Sequence, residues 1–162
     1  PTAGWKSYLV NEKTIQQAAA FKQQVADLRA GLSSKHRQSG NVAVADINIP
    51  GMLKTLAGHN LIEEEGNGFV GAGKQNFKYD TLLTKDNRPV IRNIDSEYKI
   101  LDNLADRLGN NTSAKGTVTI FTEKPACDSC LGVIKQFQDR YPNINIDVLD
   151  NNHVRLIPKK KG

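Results

Sequence analysis

Residues 116–149 read GTVTIFTEKPACDSCLGVIKQFQDRYPNINIDVL. Within them TVTIFTE is apolar at Val118, Ile120 and Phe121 and reads as a strand. KPACDSC then leads into a helix, CLGVIKQFQDRY, with Val133, Ile134 and Phe137 inward, and Pro142-Asn143 breaks it. INIDVL and HVRLIP follow as two strands joined by Asp150-Asn151-Asn152. A parallel crossover needs about a dozen residues, so this joint predicts an antiparallel hairpin.

Upstream, SEYKILDNLADRLG predicts a helix with Ile100, Leu101, Leu104 and Leu108 on one face, closed by Gly109. Ile15, Ala18, Phe21, Val25, Leu28 and Leu32 recur at helical spacing and predict a helix over residues 12–32. NVAVADINIP is β-rich and stops at the Pro50-Gly51 turn signal, with a short helix expected over 52–57. GNGFVGAGKQ reads as a glycine-rich loop; its G-A-G-K is too short for a phosphate loop. FKYDTLL and PVIRNI read as strands about a turn at Lys85-Asp86-Asn87-Arg88. The order of elements predicts a three-layer α/β fold with helices covering a central mixed sheet.

The chain has 162 residues, 38% hydrophobic and 24% charged, which fits one folded domain over 1–162 and excludes global disorder. No apolar run approaches the roughly 18 residues of a membrane span, and no signal peptide is visible. The first residue is Pro rather than Met, which reads as a fragment cut or trimmed from a longer chain. The net charge of +5, partly from Lys159, Lys160 and Lys161, suits a polyanionic partner without requiring one. Both cysteines sit in a single C-x-x-C, too few for a disulfide scaffold.

Two motifs carry chemistry. Asp95-Ser96-Glu97 opens one helix, and Pro125-Ala126-Cys127-Asp128-Ser129-Cys130 opens the next, with Pro125 standing 28 residues beyond Glu97. Thiolates at i and i+3 on a helix's first turn share a face and can chelate one ion, and the positive helix end favours the thiolate form. A catalytic zinc takes three protein ligands and a water, and a nearby glutamate that is not a ligand moves the proton. The zinc-deaminase signature is H-x-E followed by P-C-x-x-C. Here Asp95 stands at the histidine position and Ala126 is inserted before Cys127. Asp95 or His59 is therefore the third-ligand candidate; His36 and His153 are weaker.

Each motif also has a plainer explanation. Asp95 or Ser96 can be a helix N-cap. Glu97 can be a surface carboxylate facing the helix dipole. The C-x-x-C can be a redox pair, although the strand-helix repeat that accompanies such pairs does not follow. The conjunction of acid-bearing helix start, strand and Pro-x-Cys-x-x-Cys helix start is what favours a catalytic site.

Three stretches, NVAVADINIPGM, IDSEYKILDNLADRLG and GTVTIFTEKPACDSCLGVIKQFQDRYPNINIDV, resemble the toxin-deaminase family of bacterial polymorphic toxins, a branch of the cytidine deaminase superfamily. The resemblance also accommodates an aspartate in the histidine's place. It implies a five-stranded mixed sheet flanked by helices, with the last two strands antiparallel. It implies Zn2+ as cofactor, Glu97 as proton shuttle and Cys127 and Cys130 as zinc thiolates. It implies hydrolytic deamination of cytosine to uracil in nucleic acid, foremost single-stranded DNA, by a toxin domain that is the C-terminal piece of a larger secreted protein and is delivered into a target cell's cytoplasm. A cognate immunity protein is then the protein partner, and the domain is expected to be a monomer without a membrane partner. RNA, duplex DNA, free nucleoside and adenine stay open as substrates, as does an inactive zinc- or nucleic-acid-binding module. Single-strand grooves pair basic residues with aromatic platforms. Phe69, Phe77 and Tyr79, with Lys74, Lys78 and Arg92, are candidates, although Phe69 and Phe77 read more readily as core.

Overall fold

A computed structural model describes residues 5–8, 11–79, 81–83, 85–91, 95–126 and 128–158. The elements run β1 (Trp5–Tyr8), α1 (Glu12–Ala30), α2 (Ser34–Arg37), β2 (Val42–Asn48), β3 (Thr55–His59), β4 (Thr81–Leu83), β5 (Pro89–Ile91), α3 (Ser96–Leu108), β6 (Gly116–Thr122), α4 (Asp128–Arg140), β7 (Ile144–Asp150) and β8 (Arg155–Pro158). Asn11 starts α1 by accepting the Thr14 N–H at 2.8 Å, and Gly31 follows its last residue.

The main sheet has the order β1-β8-β7-β6-β2-β3 among the described residues. Its five-strand mixed body runs from β8 to β3, with β6 and β7 parallel and every other neighbouring pair antiparallel. The helix α4 makes the crossover that a parallel pair needs. The expected β7–β8 hairpin is present, closed where Asp150 Oδ1 accepts the N–H groups of Asn152 and Val154 at 2.7 and 3.1 Å. One strand was not foreseen: β1 pairs antiparallel with β8 and widens the sheet to six. The predicted strands about residues 85–88 are β4 and β5, an antiparallel pair in a sheet of their own.

Alternation along β2 divides the core into two layers. Ala43, Ala45 and Ile47 join Ile100, Leu101, Leu104, Ile134 and Phe137 of α3 and α4. Val42 and Val44 join Ala18, Phe21 and Val25 of α1 on the opposite face. This is the period-2 pattern of a strand buried on both sides.

The helix expected over 52–57 is replaced by β3. Gly51, at φ +80°, turns the chain back, and the Ile47 N–H reaches the Lys54 carbonyl at 2.8 Å. The strand β2 is buried along most of its length and needs partners for its peptide groups on both edges; β3 supplies one edge and β6 the other. That long-range demand outweighs any local helical preference.

The glycine-rich loop lies on α3. The N–H groups of Gln75 and Asn76 reach the Asp102 carboxylate at 2.9 and 2.7 Å, and that of Lys74 reaches Asp106 at 3.2 Å. A Cβ on Gly73 would stand 2.6 Å from Asp102 Oδ2, so a larger residue would push the Asp102 carboxylate away from the loop N–H groups it accepts. Phe69 and Phe77 are core residues, whereas Tyr79 is exposed and edges against Tyr98. Arg92 lies outside the described residues. No described helix is long and apolar enough to cross a membrane.

The β3 strand ends at His59, which is fully buried. Its Nδ1 accepts the Leu61 N–H at 3.1 Å, and its Nε2 lies 3.2 Å from the His36 carbonyl oxygen. An accepting Nδ1 leaves the proton on Nε2, where it donates to that carbonyl, and the ring is neutral. Burial pushes the His59 pKa below its ordinary value of 6.5, and the nearby Arg29 charge adds to this.

Two predictions follow from this packing. A Cβ at Gly58 would stand 2.7 Å from the backbone oxygen of Ser96. Gly58→Ala should therefore lever the start of α3 off the sheet and cost on the order of 1–3 kcal/mol in denaturant unfolding. For His59, the unfolded chain takes up a proton near pH 6.5 while the native ring resists it. Stability is complete above that value and falls as the pH drops below it. Urea midpoints between pH 7.5 and 5.5 should decline in the wild type and decline less in His59→Gln.

Candidate active site

The residue before α3 is Asp95, in extended geometry at φ −56° and ψ 143°, and its side chain makes no helix-capping hydrogen bond. Its carboxylate instead turns toward α4, with Oδ2 3.5 Å from Cys130 Sγ. Glu97 is only 2% exposed, so it is not a surface carboxylate. Its Oε2 lies 3.2 Å from the same sulfur. Two helix starts thus meet: α3 brings two carboxylates and α4 brings a thiol, all three groups buried. Both positive helix ends favour negative charge here.

The meeting point is the wall of a cavity of about 200 Å³. Asp95, Ser96, Glu97 and Cys130 form one side, and Asn41, Asn60, Lys124 and Pro125 the rest. Cys127 lies outside the described residues. Among the described residues, no group of three or more His, Cys, Asp and Glu side chains is arranged to hold a metal ion. His59 does not line the cavity; both its ring nitrogens are engaged within its own surroundings.

Of the residues that build the remaining walls, sequence reading singled out Pro125 and passed over Asn41, Asn60 and Lys124. Asn41 Nδ2 donates to Glu97 Oε1 at 3.2 Å and to Thr122 Oγ1 at 3.1 Å. The Asn41 carbonyl accepts the Ser96 hydroxyl at 2.6 Å, which fixes the first residue of α3 to the start of β2. Asn60 Oδ1 accepts the Asn41 N–H at 2.8 Å. The one available sign was position: Asn41 opens the NVAVADINIPGM stretch. Asn60 and Lys124 follow strand ends, where loop side chains border a sheet's edge.

Two cations, Lys99 buried and Arg29 half-buried, brace this arrangement. Lys99, one turn into α3, donates from Nζ to the carbonyls of His59 and Ile62 at 3.0 and 2.6 Å. Burial lowers its pKa, while Glu63 and Asp95 hold it up. Arg29, in the last turn of α1, pairs with Glu123 at 2.6 Å and donates to the carbonyls of His36, Arg37, Ser39 and Gly40. Glu123 in turn accepts the Val42 N–H at 2.8 Å. The loop leading into Asn41 and the loop leading out of β6 are therefore fastened to one ion pair.

A buried thiol and two buried carboxylates thus stand side by side in the wall of one cavity, which Lys124 also lines. The toxin-deaminase family model, described as the BURPS668_1122 family of deaminases, matches residues 25–152. No curated protein and no solved structure matches the chain. The matched span runs from within α1 to the turn after β7 and takes in both helix starts that meet at the cavity. With well over half of its length matched, this chain belongs to the toxin-deaminase family.

Proposed function

We propose that the chain is a zinc-dependent deaminase that converts cytosine to uracil in single-stranded DNA and acts as a toxin against rival bacteria. One observation carries the reading: the Glu97 carboxylate is buried and stands 3.2 Å from Cys130 Sγ, not in solvent. Family membership supports deamination as the reaction class.

The donors fit zinc, which takes thiolate and carboxylate ligands together. Asp95, Cys127 and Cys130 would hold the ion. Asp95 is favoured over His59 because its carboxylate faces Cys130, whereas the His59 nitrogens are already hydrogen-bonded. When bound, zinc supplies the Lewis acidity that lets water act as a nucleophile near neutral pH.

The protein's own residues do the rest. Glu97 takes a proton from the attacking water and delivers it to the departing amino group. A C–O bond forms at C4, the bond from C4 to the exocyclic amino nitrogen breaks, ammonia leaves and uracil stays in the strand. The cavity of about 200 Å³ has room for a single ring, so a base must arrive unstacked. The net charge of +5 and Lys124 at the rim suit a phosphate backbone. Tyr79 is the aromatic candidate left exposed for stacking. Family membership supports a secreted toxin; delivery into a target cytoplasm and a cognate immunity protein in the producing cell belong to the same proposal.

The test is zinc content together with a substrate panel. The protein as purified should carry zinc and convert cytosine in single-stranded DNA faster than in duplex DNA, RNA or free nucleoside, with adenine untouched. Product is read by uracil excision and strand cleavage for DNA and by chromatography for RNA and nucleosides. Zinc without conversion of any base would reduce the chain to an inactive binding module. Glu97→Gln should keep zinc and lower the rate by about 10³-fold. Cys130→Ala and Asp95→Ala should lose zinc, and His59→Gln should retain it. A Glu97→Gln enzyme within tenfold of wild type would sink the reading.

A further inference from the structure

The last torsion of a glutamate side chain is broad, so nothing in Glu97 itself fixes the plane of its carboxylate. An outside donor has to do so, and one is present. Asn41 Nδ2 holds Glu97 Oε1 at 3.2 Å, which leaves Oε2 turned toward Cys130 Sγ. The Asn41 amide is itself fixed in orientation. The Lys124 N–H, which can only donate, meets Asn41 Oδ1 at 3.2 Å, so the oxygen faces Lys124 and the nitrogen faces Glu97. Thr122 Oγ1 holds the second Nδ2 hydrogen at 3.1 Å. The Asn41 backbone is pinned at both ends, by Asn60 Oδ1 and by the Ser96 hydroxyl.

We propose that Asn41 is a positioning residue, whose side-chain amide holds Oε1 of the Glu97 carboxylate and so sets its rotation with Oε2 facing the Cys130 sulfur, the side on which the proton is taken up. The proposal rests on the reading of Glu97 as proton shuttle. Asn41 need not touch the substrate: it acts through Glu97, and its effect belongs to the chemical step.

The test compares zinc-loaded wild type with Asn41→Asp and Asn41→Ala. Asn41→Asp keeps the size and the acceptor for Lys124 but removes the donor to Glu97. It should melt within about 3 °C of wild type and keep KM within about two-fold while kcat falls about 100-fold. Asn41→Ala should show the same split where it folds. Asn41→Asp with kcat within three-fold of wild type overturns the proposal. So does an Asn41→Asp chain that unfolds, or one whose KM and melting temperature worsen together with kcat, because the residue is then structural. A second measurement does not depend on turnover. The Asn41 side-chain amide protons should exchange slowly in nitrogen-15 spectra of wild type and faster in Glu97→Ala, and equal exchange overturns the coupling. A wild type inactive on every substrate counts against the proposed function instead, and the exchange measurement still decides whether Asn41 holds Glu97.

Discussion

The start of α3 lies against the sheet because almost nothing stands beneath it. Gly58 offers only hydrogen under the Ser96 carbonyl, and Ala43 and Ala45 keep the neighbouring strand low. Close-packed interiors do not yield to an added methyl group, so this spacing is fixed by composition. The height of α3 above the sheet decides where Asp95 and Glu97 project, and hence whether they reach the first turn of α4. A helix seated farther out would leave two acids in solvent and a thiol alone.

Seating acids there has a cost, since burying a charge is unfavourable without partners. The structure answers with directed donors and helix ends. Asn41 serves Glu97, the Ser96 hydroxyl is turned away to a backbone carbonyl, and Lys99 lies under the first turn. A site assembled this way is held in place by the protein's own donors before any ligand arrives.

Much of this was legible in the chain. Apolar spacing located α1, α3 and α4 to within a few residues, and a three-residue joint was enough to make β7 and β8 a hairpin. Those signals are local, and local periodicity is what a sequence displays. The strand at Thr55–His59 was hidden, because five residues cannot announce a period and pairing with β2 decides their state. So was β1, whose partner lies at the far end of the chain. At the cavity, Asp95, Glu97 and Cys130 were singled out by motif. Asn41, Asn60 and Lys124 were not, since they meet only after β2, β3 and β6 have aligned. His59 was a reasonable ligand candidate by residue type; only the ring's two hydrogen bonds show that its nitrogens are occupied.

The ion pair of Arg29 and Glu123 has a reach that its 2.6 Å separation does not convey. Four carbonyls, those of His36, Arg37, Ser39 and Gly40, converge on one guanidinium, and these oxygens would otherwise repel one another at the end of the short helix α2. A flat, forked cation can serve so many acceptors at once; a lysine, with a single compact ammonium, could not span them. Residue 29 belongs to the helical layer on the opposite side of the sheet from α3. The frame of the cavity is thus hinged from behind, and the outer helix cannot be redrawn freely without also moving the walls that Asn41 and Lys124 supply on the other side of the sheet.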